Sequence, residues 1–491
     1  MIPEPIEAAQ RGNLAALTEG DLSPAWAAVA DALRCLASRD AVERPRAEDL
    51  CAGLEGVGGA RALELLGVRA LLALDRVALE STIHALLGFG VHGAAAYNHL
   101  SGWLAFLRGQ GEIAQKLGEQ LESDSRARGK STGVVEGAVL NAAGILLGGD
   151  PSAALKQVRR AARMAQSERL WTSNFLAGIL LSRARRMNGQ TYLAARVAVA
   201  CLAVTGSEWA PLLEWELFFA GGDTSHAHRE LPIVRVRAEL AEWLLGDGQV
   251  PRRTALGSVP HEGDIAAALF AAGASEETSE AATSKWIYGN AQDVPGIISG
   301  ISAHASQHGP VRIIVRSNAK ARRMLHTVPK GVTPLPPSGV EATRVEALVA
   351  VLAFADGPLS RRTLFERTYG FKYRPEIHED AFKVLRSQAK SFIAGWATLG
   401  SVDGYVLHVH KDIAVLDPGS KQPTGNAILG RLGQMGQSNA KSLAETLGIP
   451  LRTVQAALKE LVNDGACEVQ RIGRRVEYVV EDTTFQEITL T

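Results

Sequence analysis

Val454, Leu458 and Leu461 recur at helical spacing between Leu451 and Asn463. A helix that buries those three turns Arg452, Thr453, Gln455, Ala456 and Lys459 outward. Arginine donates a pair of hydrogen bonds to guanine, glutamine donates one to adenine and accepts one from it, and lysine neutralises phosphate. Small threonine and alanine let a helix approach a groove closely. Downstream, residues 467–471 and 476–480 read as two strands flanking Ile472-Gly473-Arg474-Arg475. Arg471, Arg474 and Arg475 then arm a hairpin suited to phosphate or minor-groove contact.

A second set lies upstream. Pro375-Glu376-Ile377 opens the stretch HEDAFKVLRSQAKSFIAG, with Ile377, Ala381, Leu385, Ala389 and Phe392 along or near one face. His378, Lys383, Arg386, Ser387 and Lys390 are expected on exposed faces, where the basic ones could meet phosphate. Leu399 to Val402 and Tyr405 to Val409 read as a hairpin around Asp403-Gly404, a strong two-residue turn signal.

Other suggestive groupings carry less. Gly129-Lys130-Ser131-Thr132 copies the end of a phosphate-binding loop, but Asp124 stands where that loop needs glycine, and no strand precedes it. His226-Ala227-His228 has no cysteine or carboxylate at ligand spacing to complete a metal site. Lys320, Arg322 and Arg323 form a small basic cluster, either an accessory phosphate contact or a solvated face. The four cysteines show no paired spacing, so neither a disulfide framework nor a zinc site is expected. No nucleophile elbow, paired-carboxylate motif or dinucleotide fingerprint is present, so no catalytic site and no cofactor are expected.

The elements that must position the first set are legible. Ile428, Leu429 and Leu432 mark a first helix, and AKSLAETLG a second, capped by Ser438 or Asn439 with Ala440, Leu443, Ala444 and Leu447 inward. Gly448-Ile449-Pro450 makes the turn into the third helix. The segment SLAETLGIPLRTVQAALKELVNDGACEVQRIGRRVEYVV resembles winged helix-turn-helix regulators of the bacterial multiple-antibiotic-resistance and arsenic-repressor type. The resemblance implies a recognition helix carrying Arg452, Thr453, Gln455 and Lys459, and a wing carrying Arg471, Arg474 and Arg475. More loosely, residues 340–417 resemble the winged helix of response-regulator output domains: an apolar helix over 345–355, a helix from Arg361 to Tyr369, the long third helix, and a hairpin with the step Gly404-Tyr405. By that resemblance Lys383, Arg386 and Lys390 would contact DNA.

Ahead of these the pattern is helical throughout. Residues 1–92 read as helices with a glycine cluster near 53–59. From 93 a repeat emerges, with first helices over Ala94–Leu107, Val134–Leu147, Leu170–Met187 and Trp209–Ala220. Turn positions Gly109, Asp150 and Gly189 lie about 40 residues apart. The second helices are lined by small residues: Ala114, then Ala154, Ala161 and Ala162, then Ala194, Ala198 and Ala200. Such pairs must stack to bury their apolar faces. The arrangement resembles a tetratricopeptide-type superhelix of somewhat longer period. Residues 247–285 read as a linker, 294–327 as helix, strand (311–316) and helix (317–327), and Thr333 to Pro337 as a stiff spacer.

Composition agrees with a globular, mainly α chain: 46% hydrophobic and 21% charged, with only 5% aromatic. Net charge is zero, yet residues 291–491 hold 24 basic against 19 acidic residues. The excess positive charge therefore falls where the grooves of a duplex would be met. The expected architecture is an N-terminal helical region (1–92), tetratricopeptide-like repeats (93–246), a linker with a small α/β segment (247–338), and tandem winged helices (339–418 and 424–485). The expected function is a DNA-binding transcription regulator. Its partners would be double-stranded DNA and a protein or peptide at the repeats, with homodimerisation open. The alternative is a repeat scaffold whose winged helices serve as protein adaptors. MIPEPIEAAQRGN has no basic region followed by an apolar core, and no apolar run approaches a membrane span, so a cytoplasmic location is expected.

Overall fold

The computed structural model describes residues 2–18, 22–39, 54–220, 312–335 and 344–480, apart from short gaps at 74, 149–150, 189, 318–320, 325–327, 329, 356, 370, 402, 418–423 and 474. Of these residues 69% are helical, so helix-on-helix packing organises the molecule. The expected helix–turn–strand readings for 221–311 fall outside the described residues. Among the described residues no helix is long and apolar enough to cross a membrane.

The N-terminal part is a two-layered stack of helical hairpins. After α1 (Glu4–Gln10) and α2 (Pro24–Ala37) come α3 (Gly56–Leu72), α4 (Arg76–Leu86), α5 (Ala94–Leu107), α6 (Gly111–Ala127) and α7 (Ser131–Leu147). Then follow α8 (Pro151–Ser167), α9 (Trp171–Met187), α10 (Thr191–Val204) and α11 (Ala210–Phe219). Consecutive helices pack antiparallel. The odd-numbered helices from α3 to α11 also pack on one another, forming the inner layer.

Composition sorts the layers. The helix α7, STGVVEGAVLNAAGILL, is apolar all round and is buried almost continuously from Val135 to Leu147. By contrast α8 carries one apolar stripe, Ala154, Val158, Ala161, Ala162 and Ala165, and exposes Lys156 and Arg163. Small residues set the closest approach. A Cβ on Gly118 would lie 2.8 Å from the Gly137 carbonyl oxygen, and one on Gly137 would lie 2.7 Å from that of Gly118. Backbone meets backbone there, which no larger residue permits.

The N-terminal segment locks onto this layer. Trp171 Nε1 donates to the Ala9 carbonyl at 2.9 Å, and Trp209 Nε1 to the Leu36 carbonyl at 2.8 Å. Trp171, Phe175 and Trp209 meet edge-to-face with centroids 5.5–6.3 Å apart. Every residue of α9 but Thr172 is buried. The inner surface that an open superhelix would present is thus covered at α9.

A second body combines α12 (Arg344–Ala353), α13 (Arg361–Tyr369) and α14 (Pro375–Phe392) with six short strands. These are β1 (Arg312–Val315), β2 (Arg322–Met324), β3 (Thr333–Pro334), β4 (Ala397–Gly400), β5 (Val406–Val409) and β6 (Ile413–Leu416). One sheet runs β2-β1-β6-β3, and β4 pairs with β5. Ile313, Val315, Ile413 and Val415 point into the helical core, while Ile314 and Ala414 share the opposite face with Val332. The strands of 312–335 therefore belong to the same core as α12–α14.

Three readings change here. Residues 322–324 form strand β2, not part of a helix, because β1 offers a hydrogen-bonding edge that local propensity does not register. Thr333-Pro334 is a strand pairing in parallel with β6, not a free spacer. On α14 the buried stripe is Phe382, Leu385 and Ala389, while Ile377 is 67% exposed and Ala381 is exposed. Phe382, the bulkiest apolar side chain in the middle of the helix, is buried and sets its phase.

Candidate nucleic-acid interface

The C-terminal body holds α15 (Thr424–Met435), α16 (Ala440–Leu447) and α17 (Leu451–Asn463). A small sheet runs β7 (Gln437–Ser438), β9 (Arg475–Val479), β8 (Glu468–Ile472) in spatial order. Asn439 caps α16, its side chain accepting from the Ser442 amide at 2.9 Å. Gly448 is left-handed at φ 64, ending α16, and Pro450 leads into α17. Val454 and Leu458 are fully buried against Ile428, Leu429, Leu432 and Leu443.

That burial fixes the outer face of α17. Arg452, Thr453, Gln455, Ala456 and Lys459 are all exposed, together with Leu451 and Glu460. Arg452, Gln455 and Lys459 lie on the side of α17 away from the buried stripe, so three donor-bearing side chains share an open surface. Cys467 is buried behind the helix, and that burial pushes its thiol up to about 12, so it is no nucleophile at neutral pH.

The hairpin beside it is tighter than the sequence reading. Its strands are 468–472 and 475–479, with Ile472 opposite Arg475 across a two-residue turn in which Gly473 has φ 63. Arg471 pairs with Val476 and so lies on one face of the ribbon, while Arg475 lies on the other. Both are exposed. Arg474 falls outside the described residues.

The upstream set is differently placed. His378 is half-buried, stacked on Phe365 at 4.8 Å, and its Nδ1 accepts from the Arg374 amide at 2.9 Å. Lys383 pairs with Asp380 at 3.2 Å and Glu379 at 3.8 Å. Arg386 donates to the Tyr405 hydroxyl at 3.2 Å and lies over its ring. Lys390 is exposed. Glu379 is held below the usual carboxylate range by the Tyr373 hydroxyl and by Arg361, which lies 2.9 Å away. Two large apolar side chains of α14, Ile377 and Val384, are exposed two turns apart.

Lys320 and His226 to His228 lie outside the described residues, and Arg322 and Arg323 belong to β2. Gly129 ends α6 with φ 64, and Ser131-Thr132 open α7, so this segment is a helix–helix turn.

One cluster escaped the sequence reading. Glu64 on α3, His99 on α5 and Glu136 on α7 offer ligand atoms within 4.8 Å of one another, all buried. Arg61 bridges the two carboxylates, pairing with Glu64 and lying 2.8 Å from Glu136. His99 Nδ1 donates to Glu64 at 2.7 Å, while Nε2 accepts from Trp103 Nε1 at 3.0 Å. Burial pushes Glu64 up, but Arg61 and His99 outweigh it and hold the carboxyl at about 2. Burial raises Glu136, and with the smaller push from the charge on Glu64 it outweighs the lowering by Arg61 and His99. Burial pushes His99 down and the carboxylates push it up further, yet the Trp103 N–H occupies the nitrogen a second proton would need. The four groups satisfy one another, and Arg61 stands where a cation would sit. The available signal was a lone acidic or basic residue in each of two mainly apolar helical stretches, His99 in AAAYNHLSGWLAFL and Glu136 in VVEGAVL, with Arg61 and Glu64 one turn apart in a third.

No family model, no curated protein and no solved structure matches the chain.

Proposed function

We propose that the chain is a DNA-binding regulator in which residues 424–480 act as a winged helix, with α17 as the reading helix and the β8–β9 hairpin as the wing. The observation that carries this reading is the open face of α17, where Arg452, Gln455 and Lys459 are exposed while Val454, Leu458 and Leu461 anchor the helix behind. Lys459, Arg471 and Arg475 would contact phosphate and set register; Arg452 and Gln455 would read base edges, with Thr453 and Ala456 allowing close approach. The stacked hairpins resemble a tetratricopeptide-like platform and would carry the regulatory input. The body around α12–α14 is a second winged helix in this reading.

Selecting bound duplexes from a random pool with the full-length chain tests the proposal. Enrichment of a sequence motif, with affinity falling steeply as salt rises, is the expected result. No enrichment over an unselected pool would overturn it.

A second reading applies to the α12–α14 body alone. Its cationic side chains are largely engaged internally, and Ile377 and Val384 stand 67% and 57% exposed on α14. That surface fits a protein partner better than phosphate. Duplex binding unchanged by Lys390→Ala but partner loss on Ile377→Glu would favour it.

A further inference from the structure

Two helices in different bodies are each met at one end by a side chain of the other body: the start of α10 by Asn426 of α15, and the end of α17, already closed by backbone bonds from Gly465 and Ala466, by Arg159 of α8. In α10, Gln190 occupies the N-cap position, but its side-chain oxygen accepts from Arg185 at 2.7 Å and makes no cap hydrogen bond. The amide of Tyr192, one of the donors a helix start leaves unpaired, instead donates to Asn426 Oδ1 of α15 at 2.8 Å. Asn426 Nδ2 donates to Thr191 Oγ1, so both ends of a buried carboxamide are used across this junction.

The reciprocal contact lies at the other end of the reading helix. No basic residue occupies the last turn of α17. Arg159 of α8 donates to the carbonyl of Asp464, the C-cap residue, placing a cation at the negative end of the helix dipole. Gly465, left-handed at φ 64, leaves the space in which that guanidinium lies. Between the two caps, Leu193 is fully buried within the core of the C-terminal body. The Tyr192 hydroxyl fills the space over Gly433, where any Cβ would collide with it.

We propose that this reciprocal capping is a clasp by which the hairpin stack fixes the orientation of α17, making Asn426 and Arg159 positioning residues for duplex recognition. The inference rests on the DNA-binding reading for its purpose, although not for its existence. The geometry also sets the sign of the effect. The clasp holds α15 and the C-terminal end of α17, while Arg452, Gln455 and Lys459 stay exposed. Engagement is therefore compatible with duplex binding and does not block it. A change in the stack that shifts α8 or α10 would be delivered to the reading helix through these two points.

Amide hydrogen exchange on the full-length chain tests this without DNA. Asn426→Ala should speed exchange over residues 191–195 about fivefold, the scale of a lost helix cap. Asn426→Asp keeps an acceptor for the Tyr192 amide and should restore slow exchange. Arg159→Ala should speed exchange over 461–466 in the same way. Exchange over α7, which touches neither contact, should stay at the wild-type rate. Unchanged exchange at 191–195 in Asn426→Ala would overturn the clasp. If that variant also speeds α7, it has unfolded the stack, and Arg159→Ala alone decides: faster exchange at 461–466 supports the clasp and no change sinks it. A duplex titration separates the two claims. Faster exchange in a chain that binds no duplex retains the clasp and removes the DNA-binding reading. Duplex binding with unaltered exchange does the reverse.

Discussion

The hairpin stack and the C-terminal body use the same residue types to opposite ends. Arg61, Glu64, His99 and Glu136 lie inside the stack and satisfy one another, so their chemistry is consumed in joining α3, α5 and α7. Arg452, Gln455 and Lys459 stand on the outside of a helix whose apolar stripe is already buried, so their donors face solvent. Burial and pairing, not residue identity, separate a structural charge from one available to a ligand. The body around α12–α14 falls between: its cations are exposed or half-exposed, yet Lys383 and Arg386 have partners within their own fold.

The largest effect expected from this contrast is inside the stack. Removing one member of the buried quartet leaves charge unpaired, so Glu64→Ala should cost about 3–5 kcal/mol of stability. Chemical denaturation reads this directly. A loss within that of an ordinary surface substitution would mean the quartet is solvated and the contrast false.

Next in size is the open helix face. Arg452→Ala with Gln455→Ala should weaken duplex binding roughly 100-fold, at about 1–3 kcal/mol for each base-reading side chain. Melting should hardly move, because neither side chain packs into the core. Denaturation together with fluorescence anisotropy separates the two outcomes, and a large melting shift would place these residues in the structural class.

A smaller effect concerns pH. The carboxyl of Glu136 is raised in the folded chain above its unfolded value. Its contribution is therefore fully present below the unfolded carboxylate range and lost as pH rises through the folded value. Glu64 is lowered to about 2, so its contribution is present above the unfolded range and lost as pH falls toward that value. Glu136→Gln should flatten the fall in melting temperature on the alkaline side and leave the acid side to Glu64. An unchanged alkaline slope would show that Glu136 titrates as it does in the unfolded chain.

The smallest expected change is in α14. Lys383→Ala should alter duplex affinity by less than about threefold, because an exposed lysine already paired with carboxylates contributes little. A tenfold loss would put this helix on the duplex beside α17 and remove the distinction between the two bodies.

Much of this was readable from the chain because it depends on local pattern. The glycine-bounded periods after residue 93 place α5 to α11 within a few residues, and the Val454, Leu458, Leu461 spacing fixes which side of α17 faces out. Local pattern failed where distant segments decide. β1 pairs with β6 across the whole α12–α14 region, and the strand character of 322–324 follows from that sheet. Ile377 looked like a core position at regular spacing, but Phe382 sets the helix phase. The hairpin tip was drawn two residues too wide, since Gly473 permits a tighter turn. The buried quartet and the cross-body caps join residues far apart in sequence, and no spacing rule connects Asn426 to Tyr192.

Contact between α17 and a duplex is the central claim, and a photo-crosslinking side chain placed at Ala456 tests it most directly. The position is exposed, short in the native chain and flanked by Arg452, Gln455 and Lys459. With a selected duplex, irradiation should yield a covalent adduct at 456 that competing unlabelled duplex abolishes, and none from the same group placed at Val77 on α4. Adducts from Val77 as readily as from 456, or none from 456 under conditions where the duplex is bound, would contradict the account.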